Sequence, residues 1–183
     1  MNATPAQSEF SRIFRIDEIG RLSERQHIVA DEAERAALAA RFGFVAINRL
    51  EADFTAAFQG EALIVTGQLR AALAQPCIAT AEPVEEAIDT PFVLRFLEEG
   101  ATAADENGSA EEMEIDAQEI DTVNYSNGRI DIGEAVAETL ALSVNPYPRS
   151  KNADEFLKQM GVLSEEQASP FAVLLAGATR TKK

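Results

Sequence analysis

The chain is expected to form one α+β domain, in which a twisted antiparallel β-meander lies between an N-terminal helix and C-terminal helices. Apolar and polar residues alternate with a period of two through most of residues 44–96, as in half-buried strands. Segments with helical period flank this region, and capping-box patterns begin them. The chain has 183 residues, 46% of them hydrophobic, which suits a single core. Long strands joined by short turns twist strongly, so the meander could curl into a partial barrel.

The N-terminal third is predicted to contain one strand and one helix. Alternating apolar residues favour a strand over residues 10–16. A loop follows, and it carries His27, the single histidine. Asp31 and Glu34 then form a capping-box pattern at the start of a helix, which Gly43 is placed to end.

Three long strands form the predicted meander. They cover residues 50–58, 63–73 and 84–96. Residues 59–61 form the first turn between them. Gly67 interrupts an apolar face, which predicts a bulge or a close approach of another backbone. Pro91 cannot donate a ladder hydrogen bond, so it favours an edge position or a bulge.

Residues 98–118 are predicted to be an acidic, flexible loop. Ten carboxylates and no Lys or Arg lie between positions 98 and 121. Such a segment promotes solubility or attracts a basic protein, and the sequence leaves both interpretations open. A basic tail follows at residues 178–183.

The C-terminal part is predicted to form helices after one short strand. A strand at residues 120–125 precedes the turn at residues 126–128. Asp131 and Glu134 form a second capping-box pattern. Prolines 146 and 148 stop that helix. Two more short helices are expected from Asn152 to Gly161 and from Ser169 onward.

Composition limits the classes of function. The net charge is −15, which opposes binding to DNA or RNA over a large phosphate surface. No apolar run approaches the roughly 20 residues that span a bilayer, and the first residues lack the pattern of a secretory signal. Cys77, the single cysteine, permits neither an internal disulfide nor a cysteine-pair metal site. We therefore expect a cytoplasmic protein without a membrane or DNA partner.

No catalytic or cofactor motif stands out. His27 is not accompanied by a Gly-x-Ser-x-Gly elbow, and neither a calcium-loop order nor a Gly-rich phosphate loop is present. We expect no enzyme activity, cofactor or metal, although a hydrolase built on two carboxylates stays open as an alternative. For Cys77, a packed structural cysteine is favoured over a reactive thiolate, because no cation is adjacent in sequence. The arginines that could meet phosphate are Arg12, Arg15, Arg21 and Arg25, and a solvated face is their favoured interpretation.

Three blocks of sequence together resemble one known family. Residues 67–84 read Gly-Gln-Leu-Arg-Ala-Ala-Leu-Ala-Gln-Pro-Cys-Ile-Ala-Thr-Ala-Glu-Pro-Val, with motif positions Cys77, Glu82 and Pro83. Residues 131–149 supply the motif positions Asp131, Glu134, Pro146, Tyr147, Pro148 and Arg149. Residues 169–175 read Ser-Pro-Phe-Ala-Val-Leu-Leu. In this order the blocks resemble the YceD family, the large ribosomal RNA subunit accumulation protein, and most closely its alphaproteobacterial branch. Many members of that family carry a second cysteine where this chain has Thr80.

The resemblance implies a bacterial, non-enzymatic factor in large ribosomal subunit biogenesis that supports accumulation of the large-subunit ribosomal RNA. Its implied partner is that RNA or a pre-ribosomal particle. We hypothesise that the N-terminal arginines contact RNA while residues 98–121 engage a basic ribosomal protein. The alternative is an acidic escort for such a protein without RNA contact. Residues 146–149 are either a docking surface or a packed helix stop.

Overall fold

The computed structural model describes residues 8–19, 24–99 and 121–162. These residues contain the following elements: β1 Ile13–Arg15, α1 Ile16–Ile19, β2 Gln26–Val29, α2 Glu32–Phe42, β3 Ala46–Gln59, β4 Ala62–Pro76, β5 Pro83–Glu98, β6 Asp121–Tyr125, β7 Arg129–Asp131, α3 Ile132–Ser143 and α4 Ala153–Gln159. The helix expected from Ser169 and the basic tail lie outside the described residues. So does the predicted acidic loop beyond residue 99, and Glu98 itself ends β5.

The chain divides into two compact units. The sheet unit comprises residues 1–74 and 85–144, and the turn unit comprises residues 75–84 and 145–183.

The predicted α+β meander is confirmed. Five strands form a mostly antiparallel sheet in the order β2-β3-β4-β5-β6, and a second sheet pairs β1 with β7. In the described part of the chain β2 and β6 are separate edges, so the sheet is open and does not close into a barrel. The exception to the antiparallel order is β6, which pairs parallel with β5. A parallel pair needs a long connection, and residues 99–120 supply the length.

Alternating apolar side chains along β3, β4 and β5 build the core on one face of the sheet. Fully or almost fully buried members are Leu50, Ala52, Phe54, Leu63, Val65, Leu69, Leu73, Leu94 and Phe96. Helix α3 adds Ile132, Val136 and Leu140. The same face carries Gly67, where a Cβ atom would lie 2.5 Å from the Asp53 carbonyl oxygen and from Phe92 Cζ. The glycine therefore serves a close approach of neighbours.

The N-terminal strand and the loop after it differ from expectation. The strand is shorter than residues 10–16 and covers Ile13–Arg15, because α1 begins at Ile16. His27 lies in an edge strand, β2, where a loop was expected. That strand has only four residues and buries Ile28 alone. Its alternation of buried and exposed residues is therefore too short to predict a strand from the sequence.

Pro91 lies in β5, before the part of that strand that pairs with β6. The register of β5 with β6 begins at Leu94, so this pairing does not include the proline.

The two ends of α2 have the predicted capping contacts. Asp31 accepts the backbone N–H of Glu34 at 2.9 Å, and the Glu34 carboxylate accepts the backbone N–H of Asp31 at 2.8 Å. Gly43 ends α2 with a left-handed φ of 71°. Asn152 precedes α4 without a side-chain cap bond, so only the position of that helix start was predicted correctly.

Candidate functional site

Asp131 joins the start of α3 to the N-terminal segment. Its carboxylate accepts the backbone N–H of Glu134 at 3.2 Å, which caps the helix. It also accepts the backbone N–H of Arg12 at 2.7 Å and the hydroxyl of Ser11 at 2.5 Å. One carboxylate therefore fixes two stretches of chain that are far apart in sequence.

The next motif residues complete this junction. A Cβ on Gly133 would lie 2.4 Å from the Phe10 carbonyl oxygen, so only glycine lets the N-terminal segment pack there. Glu134 does not return to Asp131 as a capping box would require. Its carboxylate binds the Arg41 guanidinium through two hydrogen bonds of 2.8 and 3.1 Å, and it accepts the Ser8 hydroxyl. The arginine lowers the pKa of Glu134.

In the turn unit, the two blocks that contain Cys77 and Tyr147 meet. The amide of Gln75 donates to the Asn145 carbonyl at 3.0 Å, and Ile78 donates its N–H to the Pro148 carbonyl at 3.0 Å. The Ser150 N–H donates to Cys77 Sγ at 3.3 Å. The segment at residues 145–150 is thus held along its length by the turn at residues 75–84.

Cys77 is the centre of this turn. Its side chain is 3% exposed, and its sulfur also accepts the N–H of Ala79 at 3.4 Å. Burial raises the pKa of the thiol, but hydrogen bonds from the Thr80 side chain and from the backbone N–H groups of Ser150, Ala79 and Thr80 lower it to about 6. These donors favour the thiolate form of the sulfur, which acts as their hydrogen-bond acceptor.

The structure separates the residues of the Pro-Tyr-Pro-Arg sequence by exposure. Pro148 is buried, whereas Tyr147 is 72% exposed. The backbone N–H of Tyr147 donates to Asn145 Oδ1 at 3.0 Å. Arg149 forms an exposed ion pair with Asp154 at 3.0 Å. The backbone of residues 145–150 is therefore packed, whereas the ring of Tyr147 is exposed to solvent.

The N-terminal arginines are bound to carboxylates. Arg12 holds Glu34 through two hydrogen bonds of 2.6 and 2.8 Å, and it also donates to the Val29 carbonyl. Arg15 pairs with Asp17 at 3.0 Å, and Arg25 approaches Asp53 at 3.9 Å. These three arginines contact different carboxylates and share no partner. Arg21 lies outside the described residues.

Sequence reasoning missed a charged sheet face that crosses strands β2 to β5. We define it by Arg25, His27, Arg49, Glu51, Asp53, Gln68, Arg70 and Asp89. At its centre Asp53 accepts from Arg70 at 2.8 Å and contacts His27 Nδ1 at 2.9 Å, and these contacts lower its pKa. The strand register places Glu51 opposite Arg70 and Asp53 opposite His27. The sequence does indicate a polar face, because polar residues alternate with the core residues along these strands. Which charged residues contact each other depends on the register between strands, and the sequence does not give that register.

Nothing in these groups has the features of a hydrolase site. Glycoside hydrolysis needs two carboxyl groups, one with a raised pKa. Among the residues that the structure describes, the carboxyl groups with a displaced pKa are Glu34, Glu51, Asp53 and Glu134, and in each case an arginine lowers it. The cleft of about 500 Å³ between α2 and the start of β3 is lined by a single carboxylate, Glu32. Within the described ranges, no three His, Cys, Asp or Glu side chains group as metal ligands would.

Comparison with known protein families shows to which family this chain belongs. The family described as "Large ribosomal RNA subunit accumulation protein YceD" matches residues 65–176, more than half of the chain. The chain belongs to the YceD family. The match is to the family as a whole and does not distinguish a branch within it. No curated protein and no solved structure matches the chain. In the part of the chain that the structure describes, every helix is too short or too polar to span a bilayer.

The YceD match divides the candidate residues into two sets. All nine motif positions predicted from the sequence lie within it, from Cys77 to Arg149. The four N-terminal arginines lie before it. Asp131 connects the sets, because this residue of the YceD region holds the backbone of Arg12.

Proposed function

We propose that this protein is a cytoplasmic, non-enzymatic factor of large ribosomal subunit biogenesis that supports accumulation of the large-subunit ribosomal RNA. The observation that carries the proposal is the YceD match over residues 65–176, whose description names that role. The expected partner is the large-subunit ribosomal RNA or a pre-ribosomal particle, and no DNA or membrane partner is expected.

The roles of the motif residues support a binding protein over an enzyme. Asp131, Gly133 and Glu134 join the N-terminal segment to α3, and Cys77 accepts hydrogen bonds that fix a turn. The carboxyl groups of the described residues that have a displaced pKa all have a lowered one, whereas a general acid needs a raised pKa.

Contact with RNA through the N-terminal arginines is part of the proposal. The Arg15 and Arg25 side chains are 62% and 60% exposed, so phosphate can reach them. Arg12 is 31% exposed and bound to Glu34, so we expect it to contribute less. In this arrangement the acidic residues 98–121 would engage a basic ribosomal protein.

The second candidate is an acidic escort for a basic ribosomal protein without RNA contact. It is favoured by the net charge of −15 and by the carboxylates that already neutralise Arg12 and Arg15. The salt dependence of RNA binding, measured by titrating the purified protein with ribosomal RNA, distinguishes the two candidate functions. Affinity that depends on several phosphates falls steeply with salt and is weakened in the Arg15→Gln, Arg25→Gln variant.

The decisive experiment is density-gradient sedimentation of the tagged protein from a cell lysate, with and without ribonuclease. The proposed function predicts migration with large-subunit precursor particles that ribonuclease abolishes. Migration only as free protein would contradict it. A variant with the carboxylates of residues 98–121 changed to amides tests the acidic segment, and unchanged protein partners would refute its assigned role.

A further inference from the structure

The turn unit lacks the large excess of negative charge that the sheet unit carries. All four lysines of the chain lie in the turn unit, at positions 151, 158, 182 and 183. The turn unit has six Lys and Arg residues against five Asp and Glu residues, whereas the sheet unit has ten against 26. The net charge of the turn unit therefore opposes the approach of a polyanion less than the net charge of the sheet unit does.

One segment of the turn unit exposes an aromatic ring and two cations close together in sequence. Tyr147, Arg149 and Lys151 are exposed, while Pro148 between them is buried and Ser150 is half-buried. Three solvent-exposed side chains therefore lie within five residues of one another. The arrangement arises because the Pro148 carbonyl and the Ser150 N–H are bonded to the turn at residues 75–84.

The segment is preorganised for binding. Two prolines fix φ on either side of Tyr147, and hydrogen bonds hold its backbone at Asn145 and Pro148. Little conformational entropy is therefore lost when a flat ligand stacks on the ring. Among the described residues, Lys151 has no ion-pair partner. Arg149 has only the exposed Asp154, and an exposed pair of this kind is weak.

We propose that Tyr147, Arg149 and Lys151 form a contact surface for unpaired RNA. An unstacked base lies on the Tyr147 ring, and the two cations neutralise the adjacent phosphates. Bases within a duplex are already stacked on each other, so the surface selects loops, bulges or single strands. This inference rests on the proposed function and adds a second RNA contact to the one proposed for the N-terminal arginines.

The test is titration of the full-length protein with fluorescently labelled short fragments of large-subunit ribosomal RNA. Stacking on an aromatic side chain is a substantial part of the affinity for each base, so Tyr147→Ala should weaken binding about tenfold, whereas Tyr147→Phe keeps the ring and stays close to wild type. Each of Arg149→Gln and Lys151→Gln should reduce the salt slope of binding by about 0.7. Arg49→Gln, an exposed arginine of the sheet unit, is the matched control and should leave binding unchanged. Equal melting temperatures of the wild type and the Tyr147 variants would confirm that this exposed residue can be replaced without unfolding the protein.

The outcomes separate this inference from the proposed function. Wild-type affinity in both Tyr147→Ala and the Arg149→Gln, Lys151→Gln variant would overturn the surface, and so would failure of the wild type to bind the fragments. In either case, ribonuclease-sensitive sedimentation of the wild type would leave the proposed function intact. If Tyr147→Ala binds RNA normally but no longer sediments with particles, the surface recognises a protein, and the inference is wrong.

Discussion

Gly67 sets the distance between β4 and its neighbours. A methyl group at this position would overlap the Asp53 carbonyl oxygen and the Phe92 ring. We expect Gly67→Ala to lower the free energy of unfolding by about 1–3 kcal/mol, the range for overpacking a core. Urea denaturation measures the change. Thr66→Ala, at the exposed neighbouring position, is the control, and a Gly67→Ala protein as stable as this control would disprove the steric argument.

Cys77 makes stability depend on pH near neutrality. Its folded pKa of about 6 lies below the usual thiol pKa of about 8.5 in an unfolded chain. The thiolate's contribution is therefore fully present above the unfolded value and is lost as the pH falls through 6. Wild type should gain stability between about pH 6 and 8.5 relative to Cys77→Ser, as measured by denaturation at several pH values. Parallel profiles for the two proteins would contradict the assignment.

Thr80 offers a direct test of the cause of that pKa. Its side chain is the first of the hydrogen-bond donors that lower the thiol pKa. Thr80→Val should raise the midpoint of thiolate absorbance in a pH titration, whereas the exposed Thr55→Val should not. An unchanged midpoint in Thr80→Val would show that the backbone donors suffice.

At the scale of single residues, the sequence predicted a structural role only where the residue type permits a single one. A glycine within an apolar strand face predicts a close approach, and Gly67 shows one. The lowered pKa of Cys77 was not predicted, because it depends on how the backbone folds around the sulfur. Thr80 and Ala79 are close in sequence, but Ser150 is 73 residues away. Long-range hydrogen bonds of this kind leave no local pattern.

At the scale of elements, the start of α3 combines a helix cap with a tertiary contact. Asp131→Ala removes the acceptor for the N–H groups of Glu134 and Arg12. We expect a loss of about 2–4 kcal/mol, because a lost cap costs about 1 kcal/mol and an unsatisfied buried donor a further 1–3 kcal/mol. Thermal and urea unfolding measure it. Glu138→Ala on the same helix should change stability little, and an equal loss there would argue against the specific role of Asp131.

Elements with strong periodicity were predicted well, and short edge strands were not. The patterns predicted β3, β4, β5, α2 and α3 within a few residues. The edge strand β2 has four residues and one buried side chain, too few to establish a period. The parallel direction of β6 was also out of reach, since strand direction depends on the path of the connection and not on the strand's own residues.

At the scale of the whole molecule, arginine–carboxylate pairs make the fold sensitive to acid. Glu34, Glu51, Asp53 and Glu134 all have a lowered pKa in the folded protein. Their contribution is present above the unfolded pKa of about 4 and is lost as the pH falls below it, because the unfolded chain then binds more protons. The unfolding free energy should fall between about pH 5 and pH 3. A Glu34→Gln, Glu134→Gln variant should be less stable at pH 7 and show a flatter decline, and an equal decline would refute this origin.

The exposed ring of Tyr147 also makes the protein its own optical probe. The chain contains two tyrosines and no tryptophan, so its near-ultraviolet emission comes from tyrosine alone. Tyr125 is half-buried in the sheet unit, whereas Tyr147 is open to solvent. A nucleobase that stacks on Tyr147 would quench its emission, and the Tyr147→Phe protein, which emits from Tyr125 only, gives the background. Binding at this surface can therefore be followed in unlabelled protein by fluorescence quenching.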